Sequence, residues 1–345
     1  MSLALAPIDF ELPTENVATE PAELRGKSRA DVRLMVVRKR QGTITNSLFP
    51  GLGHHLEPGD VLVVNTSATL PAAVTATEPR GMLVHFASPL RAGLWSVELR
   101  RATGDGGSAP LREIGRPVIA LPDGVTVDLL AHHQDSIRLW AAAIDGTDDV
   151  VKYLDEYGAP IRYVAGDPVP LAAYQTIFAG EPGSAEMPSA GRPFTDRMVT
   201  ELIGMGITIV PIVLHSGVSS YEIGETPSDE RYVVPEHTAT VVNALRSAGG
   251  RVIAVGTTVV RALETVVDRR GFLHPGSGST DVLITDRTVV KGVDGLLTGW
   301  HEPRSSHLSL LEAFLDRRTL GRVYDEAISA GYKWHEFGDS MLILP

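Results

Sequence analysis

The sequence contains no cysteine, which excludes disulfide bonds and metal sites built from thiolates. A cysteine-free chain fits a reducing cytoplasm, where we expect this protein to work. Basic residues are also few, because 31 Lys and Arg stand against 42 Asp and Glu and leave a formal net charge of -11. This charge argues against a protein that mainly binds a nucleic-acid backbone, although a local basic patch remains compatible with it.

Long hydrophobic runs are missing as well. No stretch approaches the ~20 apolar residues that a membrane helix needs. The apolar start of the chain has no basic region before it, so we do not expect a signal peptide. Hydrophobic residues make up 43% of the 345 residues, an ordinary proportion for a folded protein of two domains.

Several common enzyme motifs are absent. The sequence has no phosphate loop ending in Gly-Lys-Ser/Thr, no dinucleotide fingerprint of three spaced glycines and no Gly-x-Ser-x-Gly elbow. Two pairs of histidines, at 54–55 and 132–133, are adjacent in the chain, so their side chains would face different ways. We therefore predict no metal site.

Two regions of the chain differ in their pattern of apolar and polar residues. From about residue 70 to 155, short apolar or alternating runs are separated by Gly or Pro, which predicts a small all-β barrel or sandwich. From residue 156 onward helix and strand patterns alternate, and the β-branched run 207–214 is typical of a strand buried on both faces. This alternation predicts an α/β/α sandwich with a mostly parallel sheet. The predicted domains are 1–68 with 156–345, as the sandwich, and 69–155, as an inserted barrel-like domain.

The most informative segment is 251–264, RVIAVGTTVVRALE. A buried strand ends at Gly256, and Thr257 and Thr258 begin a helix. Ligands bind at this carboxyl edge of open α/β sheets, where a glycine permits close approach and a helix N-terminus offers free N–H groups. Arg261 would project from the same end and could bind a carboxylate, while Glu264 could hold an ammonium group or orient Arg261. A capped helix with one surface ion pair would give the same pattern, so both interpretations remain open.

Two histidines are candidates for proton transfer. His215 lies in LHSG, at the end of a predicted strand, and His301 precedes a predicted apolar helix in GWHEPRSSHLSLLEAF. A neutral imidazole can remove or return protons near pH 7, but a single histidine is more often a hydrogen-bonded structural residue. The long segment 174–195 is rich in Gly, Pro, Ser and Ala, which suits a loop around a ligand or an ordinary connection. Thr195, at its end, is a candidate helix N-cap.

Together these motifs resemble the S-adenosylmethionine:tRNA ribosyltransferase-isomerase family of queuosine biosynthesis. The combination of GTTVVRALE, YQT and PSAG carries the resemblance best, and the order of the motifs also agrees. The similar segments are IDFELP, LEPGDVLVVN, YQTIFA, PSAGRPFT, VLHSG, GGRVIAVGTTVVRALE, STDVLI, KGVDGLLTGWHEP and FGDSMLIL.

The resemblance implies an enzyme that uses S-adenosylmethionine as a co-substrate, with no metal. Its ribosyl part would pass to 7-aminomethyl-7-deazaguanine in tRNA, giving epoxyqueuosine, adenine and methionine. The implied fold is an α/β/α domain with an inserted β-barrel. The candidate catalytic residues are His215, His301 and Arg261. The candidate residues for binding S-adenosylmethionine are Gly256, Thr257, Thr258, Glu264, Tyr174, Gln175, Ser189, Gly191, Thr195 and Asp294.

The sequence departs from the family pattern at five positions of interest. Alanine replaces arginine at three of them, and proline replaces histidine at another: Ala68, Ala73, Ala173 and Pro193. At the fifth, Glu302 stands before Pro303 where the family has leucine. Each lost arginine removes a charge-assisted contact available to an RNA phosphate. Arginines that could replace these contacts are Arg80, Arg91, Arg100, Arg101 and Arg192.

The sequence alone leaves three functions open. The first is the full reaction, with S-adenosylmethionine and tRNA as partners. The second is a paralogue that binds S-adenosylmethionine but acts on a different, non-tRNA acceptor. The third is a non-catalytic binding protein. In each case we expect a cytoplasmic monomer that does not associate with a membrane.

Overall fold

A computed structural model describes residues 8–104, 106–111, 118–133, 136–163, 165–218 and 229–345. Its strands, in chain order, are β1 (Arg33–Arg38), β2 (Thr43–Leu48), β3 (Val61–Asn65), β4 (Ser67–Thr69), β5 (Ala73–Thr75), β6 (Met82–Pro89), β7 (Trp95–Ala102), β8 (Ser108–Pro110), β9 (Val118–Ala120), β10 (Thr126–His132), β11 (Leu139–Asp145), β12 (Glu181–Ser184), β13 (Thr208–Leu214), β14 (Glu230–Val234), β15 (Val252–Val255), β16 (Gly276–Thr280), β17 (Gly295–Gly299) and β18 (Ser340–Leu344). Its α-helices are α1 (Val150–Tyr157), α2 (Asp196–Gly204), α3 (Glu236–Ser247), α4 (Thr257–Val266), α5 (Ser306–Leu311) and α6 (Arg317–Ser329).

The larger sheet has nine strands in the order β16-β14-β13-β3-β15-β17-β18-β1-β2. Its central strands β13, β3, β15 and β17 run parallel, so their carboxyl ends share one edge. However, β18 is antiparallel to β17, and β14 is antiparallel to β13. The sheet is therefore mixed, and the predicted parallel arrangement holds only for the central strands and for the pair of β1 and β18. Local sequence does not reveal the direction of β18, which pairs with the distant N-terminal strand β1.

Helices cover both faces of this sheet. In β3, Val61 and Val63 belong to the hydrophobic cluster beneath α3, α4, α5 and α6. The intervening Leu62 and Val64 belong to a second cluster that includes Phe194 and residues of α2. All residues of β3 are buried, as expected for a strand covered on both sides. The larger sheet thus lies between two helical layers.

Several local predictions agree with the structure. The strand predicted before Gly256 corresponds to β15. Thr195 caps α2, because its hydroxyl accepts a hydrogen bond from the Met198 N–H at 3.3 Å. The helix α3 begins at Glu236, with Pro235 at its N-cap. Short apolar patterns fixed these elements, but their ends depend on neighbouring turns.

A second sheet contains β5-β6-β7-β11-β10-β9, with β8 beside β7. Its pairings are antiparallel, and it packs around a separate hydrophobic cluster that includes Phe86, Val97 and Val127. Backbone hydrogen bonds join Glu78, just beyond β5, to Ala120 of β9 at the other end of the sheet. The chain reaches this sheet through β4, which follows β3 and pairs with β12. The second sheet consequently emerges from the carboxyl edge of the larger one.

Within the described part of the chain, none of the helices combines the length and apolar character needed to cross a bilayer.

At the opposite edge of the larger sheet, a buried ion pair ties two central strands together. Asp60 precedes β3 and is only 2% exposed. Its carboxylate accepts hydrogen bonds from the Nε of Arg251, which precedes β15, at 2.9 Å and from the Glu57 N–H at 2.8 Å. The pair therefore holds the starts of β3 and β15 in register.

We expect Asp60→Asn to lower the free energy of unfolding by about 3 kcal/mol, because it leaves the Arg251 guanidinium without its buried counter-charge. Urea unfolding at pH 7 measures this loss. Glu201→Gln is the control, since Glu201 pairs with Arg197 in an exposed ion pair whose contribution should stay below about 1 kcal/mol. Equal stabilities of the two variants would contradict the prediction.

Candidate active site

A cavity of about 390 Å³ opens at the carboxyl edge of the central strands. The larger sheet contributes the residues that follow β15 and β17, including Gly256 and His301. The opposite wall comes from the second sheet and the chain after it, through Arg100, Arg138 and Tyr163. The cavity thus lies between the two sheets, where a ligand would contact both.

The turn from β15 into α4 forms part of the cavity wall. Gly256 has a φ of 102°, a left-handed conformation that is strained for residues with a side chain. It is followed by Thr257 and Thr258, which also line the cavity. The first N–H groups of a helix lack intrahelical acceptors and carry a partial positive charge. This turn can therefore bind an anionic group close to the backbone.

Arg261, one turn further along α4, is held by protein groups. Its guanidinium pairs with Glu230 and donates to the carbonyl oxygens of Val282 at 3.1 Å and Thr280 at 3.3 Å. The two paired side chains are 12% and 10% exposed, so Arg261 does not extend into bulk solvent. Burial raises the pKa of Glu230, while Arg261 and the Gly217 N–H oppose this change. Arg261 lines the cavity, but its main carboxylate partner is already Glu230.

Two stacked imidazoles form another part of the wall. The rings of His301 and His307 are nearly parallel, at 6°, with centroids 4.6 Å apart. His301 Nε2 lies 2.9 Å from the Thr298 hydroxyl, and the His301 carbonyl accepts from the Trp334 indole at 3.0 Å. Burial lowers the pKa of His301 and lowers that of His307 to about 4. Both imidazoles are consequently neutral at pH 7.

A pair of carboxyl groups also lines the cavity. Glu186 follows β12 and accepts a hydrogen bond from the Tyr163 hydroxyl. Glu336 precedes β18, and burial together with the charge of Glu186 raises the pKa of Glu336 to about 8. Because the Glu336 carboxyl titrates near pH 8, it is mostly protonated at neutral pH.

On the second sheet, Glu98 holds two arginines in place. This carboxylate is 1% exposed and accepts hydrogen bonds from Arg100 at 3.1 Å and Arg138 at 2.9 Å. Against the effect of burial, the neighbouring His85 and the two guanidinium groups lower the pKa of Glu98 to about 2. Two positive side chains at the cavity wall are therefore fixed by a permanently ionised carboxylate.

Six of the residues proposed from the sequence line this cavity: Ser189, Gly256, Thr257, Thr258, Arg261 and His301. His215 does not, because its side chain lines a neighbouring depression of about 610 Å³ beside Arg91 and Arg231. Its Nδ1 lies 2.7 Å from the Ser67 hydroxyl. The predicted pair of catalytic histidines is thus divided between two cavities.

Two predicted carboxylates bind the backbone elsewhere. Glu264 accepts hydrogen bonds from the N–H groups of Lys291 at 2.9 Å and Gly292 at 2.5 Å. Asp294 accepts from the Val252 N–H at 2.8 Å, at the start of β15 and so at the opposite edge of the sheet. Both carboxylates fix loops, and neither is among the cavity-lining residues.

The remaining predicted residues support the loop that approaches the cavity. Tyr174 is buried against Phe337, with ring centroids 5.1 Å apart. The Gln175 side chain bonds both backbone groups of Thr69, at 2.9 and 2.8 Å. Gly191 ends the short helical turn that begins at Ser189. Together with Thr195, which caps α2, these residues shape the loop from behind.

Of the five departures from the family pattern, Glu302 lines the cavity, and four lie outside its lining: Ala68, Ala73, Ala173 and Pro193. Ala68 and Ala73 belong to β4 and β5. The Ala173 carbonyl accepts a hydrogen bond from Arg192, which precedes Pro193. Their effect therefore falls on the surroundings of the cavity.

Arg100, which the sequence suggests only as a replacement for a lost contact to RNA, lines the cavity. Sequence patterns did not identify several other polar residues of the cavity: Arg138, Tyr163, Glu186, Glu230, His307, His335 and Glu336. Only His307 and Glu186 fell within segments already singled out, where their residue types were the available signal. Across the described ranges, no group of three or more His, Asp or Glu side chains is placed to hold a metal ion.

Comparison with known proteins gives consistent matches. Residues 5–343 match a family model described as "Queuosine biosynthesis protein". Proteins named S-adenosylmethionine:tRNA ribosyltransferase-isomerase from Caldanaerobacter subterraneus subsp. tengcongensis and Thermus thermophilus are each 34% identical, over 97% of this chain and 98% of theirs. A crystal structure of S-adenosylmethionine tRNA ribosyltransferase from Thermotoga maritima is 28% identical, with a TM-score of 0.56, and the match covers 98% of this chain and 99% of that one.

The carboxyl of Glu336 makes stability depend on pH. Its folded pKa of about 8 lies above the ordinary value of 4.5, so ionisation destabilises the native state. This penalty is absent below pH 4.5, grows as the pH rises and is complete above about pH 8. We expect Glu336→Gln to be more stable than the parent by about 2 kcal/mol at pH 8.5, less than a fully buried group would give, since the side chain is partly exposed.

Urea unfolding at pH 4.5 and pH 8.5 tests this expectation. The advantage of Glu336→Gln should vanish at the lower pH, where the native carboxyl is already neutral. The exposed Glu201→Gln variant should show no comparable dependence. A constant stability difference between Glu336→Gln and the parent at both pH values would refute the assignment.

Proposed function

The chain belongs to the queuosine biosynthesis protein family, and from that membership we propose that it is an S-adenosylmethionine:tRNA ribosyltransferase-isomerase. It transfers and isomerises the ribosyl part of S-adenosylmethionine onto 7-aminomethyl-7-deazaguanine in tRNA, releasing adenine and methionine. The observation that carries the proposal is the cavity at the carboxyl edge, where the Gly256 turn meets His301. The match along nearly the whole length of named relatives disfavours a non-tRNA acceptor or a non-catalytic role.

We place the methionyl carboxylate of S-adenosylmethionine at the start of α4. Gly256 permits close approach, and the N–H groups of the first turn provide donors and a partial positive charge. Arg261 is the less suitable anchor, since Glu230 and two carbonyl groups already occupy it. Its role is to hold Glu230 and the strand that carries it beside the cavity.

We place the catalytic base at His301. A sulfonium group acidifies the neighbouring C–H bonds of its substrate, and a neutral imidazole can accept such a proton. His301 is neutral at pH 7, and its Nε2 is positioned by the Thr298 hydroxyl at 2.9 Å. His215, the other candidate, lines a different depression and bonds Ser67. His215 therefore contributes to the structure of that neighbouring depression.

The acceptor nucleotide is proposed to approach along the second sheet. The cavity wall there carries Arg100 and Arg138, which Glu98 fixes. The substituted alanines at 68, 73 and 173 lie outside the cavity lining, so they would alter contacts with the RNA backbone and leave the reaction centre intact.

The finer description of the fold belongs to the same proposal. We assign residues 69–155 to an inserted barrel-like domain, supported by the separate hydrophobic cluster and the bridge from Glu78 to Ala120. Residues 1–68 and 156–345 would form the α/β/α domain. We further propose that the protein is a cytoplasmic monomer that uses no metal.

The direct test is release of adenine. Purified protein is incubated with S-adenosylmethionine and tRNA carrying 7-aminomethyl-7-deazaguanine, and adenine and modified nucleosides are separated by chromatography. We expect one adenine for each epoxyqueuosine formed, and none with tRNA that carries guanine at the same position. Absence of adenine with the modified tRNA would remove the proposal.

The base assignment is tested by His301→Gln, which removes proton transfer but keeps a hydrogen-bonding side chain. We expect kcat to fall about 10²- to 10⁴-fold, the range typical of a lost general base. His54→Gln is the matched control, because His54 is exposed and does not line the cavity. A loss confined to KM, with kcat unchanged, would show that His301 only binds substrate.

A further inference from the structure

The depression beside His215 is not used by the reaction steps assigned above. It has a volume of about 610 Å³, and both sheets contribute to it, since its lining comes from β14 and β16 of the larger sheet and from the end of β6 in the second. Its charged lining residues are Arg91, Glu181, Asp229 and Arg231. A depression with both signs of charge suits a ligand that offers both anionic groups and hydrogen-bond donors.

The depression and the main cavity share a wall where β13 ends and β14 begins. His215 lines the depression, whereas Ser216, the next residue, lines the main cavity. In β14, Glu230 lines the main cavity and Arg231 lines the depression. Successive side chains of a strand point to opposite faces, and consecutive Cα atoms are only about 3.8 Å apart. The two cavities are therefore close enough to hold adjacent parts of one extended molecule.

Two arginines of the depression have guanidinium groups without a protein partner. Arg91 and Arg231 are exposed, and neither side chain makes a hydrogen bond or an ion pair with any residue in the described ranges. Arg231 belongs to the larger sheet and Arg91 follows β6 of the second, so the two charges come from different walls. In the main cavity, by contrast, protein carboxylates pair with Arg100 and Arg261. The free guanidinium groups are suited to bind a phosphate.

The edge strand β16 supplies small polar residues beside these arginines. It is the last strand of the larger sheet and, within the described residues, pairs only with β14. Ser277, Gly278 and Ser279 line the depression, and Ser279 is the cross-strand partner of Arg231. Hydroxyl groups and the unpaired N–H groups of an edge strand donate hydrogen bonds to phosphate oxygens. Because this segment has no bulky side chain, a sugar–phosphate backbone can approach it closely.

The imidazole of His215 is fixed in the depression. Its Nδ1 lies 2.7 Å from the Ser67 hydroxyl, and a Cβ at position 183 would collide with the ring, so Gly183 is required there. Burial and the charge of Arg231 lower the pKa of His215, although Glu181 opposes this change. The ring is therefore neutral at pH 7 and adds a rigid surface on which a ribose can pack.

The acidic residues narrow the class of ligand. Glu181 and Asp229 are exposed carboxylates of the depression. They repel a simple anion such as inorganic phosphate, but they accept hydrogen bonds from the 2′-hydroxyl of a ribose or the amino group of a base. Together with the free arginines, these carboxylates match a ribonucleotide segment, which combines a phosphate charge with hydroxyl donors.

We propose that the depression binds the ribose–phosphate segment of the nucleotide that flanks the acceptor base. Arg91 and Arg231 bind its phosphate, and Ser279 supplies a further donor. Glu181 and Asp229 accept hydrogen bonds from its sugar or base. This inference rests on the proposed function, which brings the acceptor base into the main cavity across the shared wall. The depression thus recognises the acceptor as part of an RNA chain and distinguishes it from a free nucleobase.

The first test measures binding of an anticodon stem-loop carrying 7-aminomethyl-7-deazaguanine by fluorescence anisotropy at several salt concentrations. We expect Arg91→Gln and Arg231→Gln each to bind about 10-fold more weakly at low salt, with a slope of log K against log salt that is shallower by about 0.7, the value for one phosphate of a single strand. Both arginines are exposed, so the urea midpoints should match that of the parent.

Arg318→Gln is the matched control. It removes the same charge from an exposed position of α6, and Arg318 lines neither cavity. This variant should bind the stem-loop as the parent does. An equal loss of affinity in Arg318→Gln, or undiminished affinity in both depression variants, would overturn the proposal, because the effect would then reflect only net charge or no contact at all.

The second test locates the phosphate. Two further stem-loops carry a neutral methylphosphonate in place of the phosphate on the 5′ side or on the 3′ side of the modified nucleotide. We expect one of them to bind the parent about as weakly as Arg231→Gln binds the unaltered stem-loop, and to bind Arg231→Gln with no further loss, since the two changes remove the same contact. Additive losses with both stem-loops would rule out a flanking phosphate in the depression.

A second copy of the chain is the rival occupant, because an edge strand such as β16 can also pair with another protein strand. Sedimentation of the parent and of Arg231→Gln distinguishes the two. A parent dimer that dissociates in Arg231→Gln, with unchanged stem-loop affinity, would replace the RNA site with a protein interface. Adenine release by the parent is measured separately. If the parent releases adenine while both depression variants bind the stem-loop normally, this site is wrong and the proposed function stands.

Discussion

The carboxamide of Asn65 fixes the edge on which the candidate site depends. Its nitrogen donates to the Leu214 carbonyl at 2.8 Å, and its oxygen accepts from the N–H groups of Leu214 at 3.0 Å and Ser67 at 3.1 Å. It also reaches the Thr258 hydroxyl at 3.4 Å. Asn65 is 3% exposed, so losing any of these bonds would leave a buried polar group unsatisfied. One side chain therefore aligns the ends of β3 and β13, the start of α4 and the exit toward the second sheet.

The mixed direction of the larger sheet determines which charges reach this edge. Parallel strands place the residues that follow them at this edge, as with Gly256 after β15 and His301 after β17. Antiparallel strands place the residues at their beginning there. Glu230 begins β14, and Glu336 lies shortly before β18, so both come to the same edge as the glycine turn. A wholly parallel sheet would have placed these carboxyl groups at the far side.

This geometry explains what the sequence could reveal. The strand–glycine–helix pattern around Gly256 is local, so it located the turn and the threonines correctly. Strand direction and the packing of one sheet on another involve distant segments, which is why Glu336 and Arg138 were not identified. Helical spacing relates Glu264 to Arg261, yet the Glu264 carboxylate turns to the backbone of Gly292. Neighbouring residues at the end of a strand point in different directions. Ser216 therefore lines the main cavity, while His215 lines the neighbouring depression.

The electrostatic character of the cavity follows from how its charges are paired. Protein carboxylates bind Arg261 and Arg100, and the buried His301 and His307 are neutral, so these groups attract an anion only weakly. The acidic side chains that line the same cavity are Glu186, Glu230, Glu302 and Glu336. A sulfonium nucleoside with an α-ammonium group complements such a cavity, and the formal charge of -11 favours its approach. The same charge repels RNA, so tRNA must be held by local contacts and by shape. We therefore expect the cation to contribute the electrostatic part of recognition and the nucleotide to contribute the steric part.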